Sequence, residues 1–371
     1  MKIFLTDYRT AWTPNVRLVG DIKYPQFVHV FDDTYKRVST GLVYVPHKVA
    51  EKVLDPALCE NLRQEECKTA FILAGGNSHF AGINARHYDS CLSYTYKFLP
   101  FSLMQVYAGR IAQSLGAFDQ ITTDATACAS SLKVMMDVQN LIWTYKFDRV
   151  IVLSVEDGVS NSVLEFFGEA KASLSYQEEN SGIKPSAFDS VNYGFRVAQG
   201  AVLAIFESET YINKSGHTPK AQLLGAYTAS ERCNNAIGQR EDGQGFVNAI
   251  SGALEVASVK GNEVSIVKTH GTGTKSNNIA ERCALEKVIP NFVATSYKST
   301  IGHTMGVSGL LETCLLFDSI QKGIIPKIGN RTEQDRIFLS DDVETDGGIV
   351  LSLAAGMGNV YSSALFDTKV Y

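Results

Sequence analysis

The sequence has no Cys-x-x-Cys spacing, no long apolar run and no surplus of positive charge. Its seven cysteines are odd in number and scattered, which argues against a disulfide framework or a zinc site and suits free thiols in a reducing cytoplasm. No window approaches the roughly 18 apolar residues of a membrane span, and the first residues lack the apolar stretch of a signal peptide. The net charge of −5 argues against a general nucleic-acid-binding protein. What remains, 45% hydrophobic and 20% charged, is typical of a soluble globular protein with a large core.

Five short apolar runs predict strands that are buried on both faces, because such runs do not alternate with polar residues. They cover residues 70–75, 149–154, 200–206, 264–268 and 348–353. Helical patterns lie between them, at 131–142 and 306–320. Alternating strands and helices indicate an α/β protein. Segments 173–189 and 330–347 are polar without periodicity, so we expect surface excursions there.

Cys128 lies in the run Thr-Ala-Cys-Ala-Ser-Ser-Leu, directly before a helical pattern. Free N–H groups and the dipole at a helix start favour a thiolate over a thiol, whose ordinary pKa is about 8.5. An isolated cysteine is more often a small core residue. The interpretation of Cys128 as a nucleophile therefore depends on its companions.

Two histidines lie in Gly-rich loops downstream of Cys128. His270 follows an apolar run in the segment Lys-Thr-His-Gly-Thr-Gly-Thr, where glycines permit close approach of a ligand. His303 ends the segment Lys-Ser-Thr-Ile-Gly-His, with Lys298 five residues before it and Glu312 nine after it as a possible charge pair. The other histidines lack such surroundings, and we interpret them as structural: His29, His47, His79, His87 and His217.

These motifs resemble those of the acyl-carrier-protein-dependent β-ketoacyl synthases, within the thiolase-like superfamily, over residues 70–371. The resemblance implies an α/β fold with two mixed five-stranded sheets in a layered α-β-α-β-α arrangement. It also implies a single domain, residues 1–371, built from pseudo-repeats at about 1–210 and 211–371 that share one core.

The resemblance assigns a role to each matching residue. Cys128 would accept the acyl group, His270 and His303 would be catalytic, and Lys298 and Glu312 would complete the catalytic set. The remaining assignments are phosphopantetheine contacts by Thr272 and Thr274, an oxyanion hole formed by the backbone N–H groups of Cys128 and Met357, and supporting positions at Glu281, Asn278, Gly356 and Gly358.

The implied reaction is a decarboxylative Claisen condensation between an acyl group on Cys128 and malonyl-acyl carrier protein. Two neutral histidines can stabilise the thioester enolate without a metal. We expect no permanently bound cofactor, only the phosphopantetheine arm of acyl carrier protein as substrate carrier. The expected assembly is a homodimer or a heterodimer with a chain-length-factor-like paralogue, without nucleic-acid or membrane partners.

Several positions depart from the family pattern and favour a specialised polyketide, polyene or fatty-acid pathway. Met357 replaces a gating phenylalanine, Asn359 replaces a glycine, Asn278 replaces an aspartate, and segment 191–202 is degraded.

Three alternatives stay open. The first is an acyltransferase or malonyl decarboxylase that uses the same cysteine, and the second is a non-catalytic heterodimer partner, which the intact Cys-His-His set disfavours. A Cys-His hydrolase is a distant third, because hydrolysis needs neither the His-Gly-Thr-Gly-Thr loop nor a second histidine. A thiolase would need a second cysteine in the C-terminal loop, and residues 354–360 contain none.

Overall fold

The computed structural model describes residues 1–12, 53–54, 56–76, 104–116, 118–156, 161–233 and 237–370. Twelve strands lie within these ranges. They are β1 (Ile3–Trp12), β2 (Thr69–Ala74), β3 (Gln120–Asp124), β4 (Arg149–Glu156), β5 (Gly200–Ser208), β6 (Ala221–Ser230), β7 (Val264–Lys268), β8 (Val293–Thr295), β9 (Ile324–Ile325), β10 (Val343–Glu344), β11 (Ile349–Gly356) and β12 (Val360–Asp367). The five strands predicted from apolar runs are β2, β4, β5, β7 and β11, which confirms those predictions.

Ten α-helices accompany the strands in the described ranges. They are α1 (Pro56–Gln64), α2 (Met104–Leu115), α3 (Ser130–Trp143), α4 (Asn161–Glu169), α5 (Tyr176–Asn180), α6 (Glu209–Ser215), α7 (Gln244–Ala257), α8 (Lys275–Val288), α9 (Lys298–Ile301) and α10 (Ser308–Gln321). The two helices predicted from periodicity are α3 and α10. Within these ranges no helix has both the length and the apolar character that a membrane crossing requires.

Ten of the strands form one mixed sheet in the order β3-β2-β4-β5-β1-β6-β12-β11-β7-β8. The first five strands in this order and the last five repeat the same pattern. Counted from the outer edge of the sheet towards its middle, each half has two parallel strand pairs and then two antiparallel pairs. The first strand of each half, β1 or β6, lies at the junction in the middle. The two halves of the chain therefore have the same topology.

The halves are joined where β1 pairs antiparallel with β6, through Ile3 to Leu5 against Leu223 to Ala221. Two separate five-stranded sheets were expected, and in this respect the structure differs from the expectation. Because β1 pairs with a strand of each half, hydrogen bonding continues across the junction and makes one ten-stranded sheet.

The largest hydrophobic cluster holds side chains from both halves together with α3 and α10. Helix α10 is buried on nearly all sides, as expected for a helix that is apolar all round. The two helices pack closely at their N-termini, where the backbone N–H of Leu310 donates to Ser131 Oγ at 3.1 Å. Cys128 and His303 both lie just before these helix starts, so this packing brings them towards each other.

The two polar segments are not simple surface excursions. Phe188 is 4% exposed and stacks on Phe338, with ring centroids 3.9 Å apart. Each aromatic ring lies within a polar run and belongs to the second hydrophobic cluster. The expectation was wrong because one isolated aromatic residue buries a large area without producing any periodicity.

Candidate active site

Cys128 lies in a tight turn between β3 and α3. Residues Ala127–Ala129 form a 3₁₀ turn, and Ala127 has a positive φ of 48°, which is strained for a residue with a side chain. Thr126 Oγ1 donates to Asp124 Oδ1 at 2.6 Å and fixes the entry to the turn. Cys128 is 7% exposed. The sequence therefore places a buried thiol on a strained turn immediately before a helix.

The hairpin between β11 and β12 lies against this turn. A Cβ atom on Gly356 would lie 2.8 Å from the carbonyl oxygen of Thr126 and 3.4 Å from the backbone nitrogen of Cys128. Only glycine permits this approach. Met357, the next residue, packs against the cluster that contains Cys128. The two backbones predicted to form an oxyanion hole are thus neighbours.

His270 follows β7 in a loop that needs glycine. Gly271 and Gly273 both have positive φ, 55° and 72°, and a Cβ at Gly273 would lie 2.0 Å from the carbonyl oxygen of Ser186. Glu281 accepts hydrogen bonds from the backbone N–H groups of His270 at 2.5 Å and Gly271 at 3.0 Å. This carboxylate therefore fixes the histidine loop from beneath.

His303 follows Gly302, whose φ is 82°. Its backbone N–H donates to the carbonyl oxygen of Arg196 at 2.7 Å. Its ring packs edge to face on Phe195, with centroids 4.8 Å apart. Segment 191–202, which departs from the family pattern, thus supports the second histidine.

A pocket of about 310 Å³ brings the predicted groups together. The imidazole rings of His270 and His303 lie 5.7 Å apart, centroid to centroid, at 81°. The predicted site residues that line the pocket are Cys128, His270, Thr272, Thr274, His303, Gly356 and Met357. The Thr272 and Thr274 hydroxyl oxygens are 3.1 Å apart.

Lys298 and Glu312 form the predicted charge pair behind the pocket. Lys298 Nζ lies 2.8 Å from Glu312 Oε1, and both residues are almost fully buried. A second buried lysine, Lys268, approaches the other carboxylate oxygen at 3.5 Å and donates to the carbonyl oxygen of Leu353 at 2.7 Å. Two lysines therefore share one glutamate.

Both histidines are held neutral. Burial, then the positive charge of Lys298, lowers the pKa of His270 and of His303 well below its ordinary value. His303 and Lys268 contribute further to the depression at His270. Neutral imidazoles fit the predicted role of hydrogen-bond donors to an enolate.

The thiol differs from the expectation drawn from its helix start. Burial, followed by the negative charge of Glu156, raises the pKa of Cys128 to about 12, although Lys298 and a backbone hydrogen bond act in the opposite direction. Desolvation outweighs the N-terminal position because the sulfur is enclosed. Cys128 therefore rests as a thiol.

Asn278 and Gly358 lie near the pocket without lining it, whereas Asn359 is a lining residue. The backbone N–H of Asn278 donates to the carbonyl oxygen of Thr274 at 2.9 Å, so Asn278 is bonded to the end of the histidine loop. Its side-chain oxygen is buried without a partner among the described residues. Gly358 has a φ of 86° and Asn359 one of 61°, so both support the hairpin turn after Met357.

The other histidines are away from this site or outside the described residues. His217 Nδ1 lies 2.8 Å from Glu207 Oε2, in a group with Glu65 and Arg149. That group is an ion-pair network in which Arg149 neutralises the carboxylates of Glu65 and Glu207. His29, His47, His79 and His87 lie outside the described residues.

The sequence did not reveal several residues that shape the site. Lys268 is the last residue of a predicted strand and the first residue of the His270 motif. Nothing in the sequence around it marks it as a buried cation. Glu156 is the last residue of β4, beyond the predicted strand at 149–154, and its effect on Cys128 arises only in three dimensions. Gln239 lines the pocket from a segment without any motif.

Comparison with known structures identifies the class of fold. A type II polyketide ketosynthase solved in complex with its acyl carrier protein superposes with a TM-score of 0.81 at 17% identity, over 99% of this chain and 98% of that one. A β-ketoacyl synthase from Burkholderia phymatum superposes with a TM-score of 0.77, also at 17% identity and over 99% of both chains. The architecture is the α/β thiolase-like ketosynthase fold.

Sequence comparison identifies the family. Residues 47–210 match the N-terminal domain of β-ketoacyl synthases and residues 220–332 match the C-terminal domain. The tetracenomycin ketoacyl synthase alpha subunit of Streptomyces glaucescens is 27% identical over 277 residues, which are 72% of this chain and 64% of that protein. The chloroplastic 3-oxoacyl-[acyl-carrier-protein] synthase I of Arabidopsis thaliana is 27% identical over 278 residues, 73% of this chain and 58% of that protein. The chain belongs to the β-ketoacyl synthase family, and its alignments span less than two thirds of these relatives' own length.

Proposed function

We propose that the protein catalyses the decarboxylative Claisen condensation of an acyl group on Cys128 with malonyl-acyl carrier protein. The observation that carries the proposal is the convergence of Cys128, His270 and His303 on one pocket. A nucleophile alone would serve acyl transfer. Two neutral histidines beside it serve a second event, the stabilisation of an enolate.

In the first stage the Cys128 sulfur attacks the carbonyl carbon of an acyl thioester. The thiol proton passes to the departing carrier sulfur as the old thioester bond breaks. The N–H groups of Cys128 and Met357 stabilise the charge on the thioester oxygen, an effect worth about 3 kcal/mol per donor. The closeness of Gly356 to the cysteine turn supports this pairing.

In the second stage a malonyl thioester loses CO2, and the electron pair of the broken bond becomes an enolate. His270 and His303 donate hydrogen bonds to the enolate oxygen. The Nδ1 atom of each ring is buried without a partner among the described residues. An unpaired N–H costs more there than an unpaired lone pair, so the proton belongs on Nε2. The carbanion then attacks the acyl carbon, the bond from that carbon to sulfur breaks, and the departing Cys128 thiolate takes a proton from water to restore the thiol.

The other residues position these groups. Lys298 and Glu312 form a buried ion pair behind the histidines. Glu281 holds the His270 loop through the loop's backbone N–H groups. Asn278, Gly356 and Gly358 maintain the loop geometry. Thr272 and Thr274 contact the phosphopantetheine arm, which is the only carrier required and is not a resident cofactor.

Acyl carrier protein is the proposed partner, and a homodimer or a heterodimer with a chain-length-factor-like paralogue is the proposed assembly. Relatives named as polyketide and 3-oxoacyl-carrier synthases support the first proposal. A structural neighbour described as a ketosynthase and chain length factor supports the second. Met357 at the pocket supports a specialised pathway, because a flexible thioether gates an acyl chain differently from phenylalanine.

The proposed organisation is one domain, residues 1–371, with pseudo-repeats at about 1–210 and 211–371. The repeated strand order and the position of α6 between β5 and β6 support the boundary. Burial of α3 and α10 among side chains of both halves supports a layered α-β-α-β-α arrangement with one shared core.

Product mass spectrometry tests the reaction. The protein is incubated with acyl- and malonyl-carrier proteins, beside a double variant, His270→Ala with His303→Ala. Condensation predicts a β-ketoacyl product from the wild type and acylated Cys128 without elongation from the double variant. A product with no added ketide unit in the wild type would support the acyltransferase or decarboxylase alternative instead.

A further inference from the structure

The side-chain amide of Gln239 lies at the wall of the active-site pocket. Gln239 Oε1 is buried and has no hydrogen-bond partner among the described residues. A buried carbonyl oxygen without a donor costs free energy, so native structures rarely retain one without a purpose. The same residue lines the pocket beside His270, Thr272 and Thr274.

The orientation of this amide is fixed by a chain of hydrogen bonds. Both oxygens of Glu281 already accept backbone N–H groups, so Asn277 must present its Nδ2 there, at 2.8 Å. The Asn277 Oδ1 atom then accepts from Gln239 Nε2 at 3.0 Å. Exchanging the nitrogen and oxygen of the Gln239 amide would place Gln239 Oε1 against Asn277 Oδ1. The Gln239 carbonyl is therefore the group left for a ligand.

A ligand must supply the missing donor. The Thr272 and Thr274 hydroxyls, 3.1 Å apart, share one proton between them and retain one to donate. This pair suits a ligand carbonyl, whereas Gln239 suits a ligand N–H. A secondary amide carries both groups, one on each side of the same planar unit. The pocket wall therefore matches an amide on both of its edges.

We propose that Gln239 Oε1 accepts the hydrogen bond of an amide N–H in the carrier arm as the arm enters the pocket. This inference rests on the proposed function, since the amide-bearing arm is the substrate carrier there. Hydrogen bonds connect Gln239 to Asn277, Asn277 to Glu281, and Glu281 to the backbone of the His270 loop. Gln239 is thus a substrate-binding residue that also steadies the position of His270.

Equilibrium binding tests the inference without any catalysis. The probe is S-methylpantetheine, which carries the amides of the arm and cannot acylate Cys128. Its comparison is the analogue with ester oxygens in place of the amide N–H groups. Ligand-detected NMR gives the dissociation constants for the wild type, Gln239→Met, Gln239→Glu and the control Gln244→Met, whose exposed side chain bonds only to Asn248 in the described structure.

The wild type and Gln244→Met are expected to bind the amide roughly 3- to 10-fold more tightly than the ester. Gln239→Met should lose this preference. Gln239→Glu in its neutral carboxylic acid form can donate to Asn277 Oδ1 and keep the carbonyl acceptor. Measured in acid, this variant should retain the preference, and it guards against misfolding of the methionine variant. An equal preference in all four proteins, or no binding of S-methylpantetheine to the wild type, would overturn the inference. Failure of the proposed function would instead appear as absent acylation of Cys128, which these measurements do not involve.

Discussion

Lys268 and Lys298 share the carboxylate of Glu312, one at each oxygen, at 3.5 and 2.8 Å. All three side chains are almost completely removed from solvent. The cluster therefore carries a net positive charge beside two histidines. Burial of the imidazoles and, after it, this positive charge lower the pKa of both histidines. Because the cluster is buried, Glu312 is the residue on which it depends.

Replacement of Glu312 by glutamine is expected to destabilise the protein by about 3 kcal/mol or more, because two buried ammonium groups lose their counter-charge. Denaturant unfolding measures the change. The control is Glu286→Gln, which breaks an exposed pair with Arg282 of 3.4 Å and should cost less than about 0.5 kcal/mol. A cost for Glu312→Gln no greater than that of the control would contradict this view of the cluster.

Gly356→Ala is expected to lower kcat/KM at least about 10-fold, since the new methyl group would displace the Cys128 turn and one oxyanion donor. The closest atom, the carbonyl oxygen of Thr126, would lie 2.8 Å from the added Cβ. Gly109→Ala, on α2, meets nothing within 4 Å and should leave activity unchanged. Steady-state kinetics decide the matter, and equal rates for the two variants would show that the close approach has no catalytic role.

The depressed pKa values of the two histidines predict a loss of stability in acid. Below the ordinary histidine pKa of about 6.5, the unfolded chain binds protons that the folded protein does not. The free energy of unfolding should therefore fall as pH falls below about 6.5, with a slope of up to roughly 1.4 kcal/mol per pH unit for each histidine.

A double variant, His270→Asn with His303→Asn, should lose that part of the slope. Urea unfolding at several pH values between 5 and 8 provides the comparison. An identical slope in the variant and the wild type would mean that other groups cause the acid sensitivity.

Lys268→Met should raise the pKa of both histidines, because Lys268 is one of the charges that depress them. The acid limb of kcat/KM would then move to higher pH. Lys322→Met, an exposed lysine just after α10, serves as the control and should leave the profile in place. A profile for Lys268→Met that coincides with the wild type would remove Lys268 from the electrostatics of the site.

Much of the fold and of the candidate site could be predicted from the sequence wherever the information is local. Apolar runs gave the central strands, and the glycine-rich segments around His270 and His303 gave the loops. Joining of the two halves through β1 could not be predicted, because pairing between residues over 200 positions apart leaves no local pattern. The pKa of the Cys128 thiol could not be predicted for a similar reason. A helix start is visible in sequence, whereas the burial that outweighs it is not.

The central claim is that Cys128 carries the acyl group, and intact-protein mass spectrometry with an acyl-carrier donor tests it most directly. Cys314→Ala is the matched control, since Cys314 is also a buried free thiol. We expect one acyl adduct on the wild type and on Cys314→Ala, and none on Cys128→Ala. An adduct that persists in Cys128→Ala, or is absent from the wild type, would contradict it.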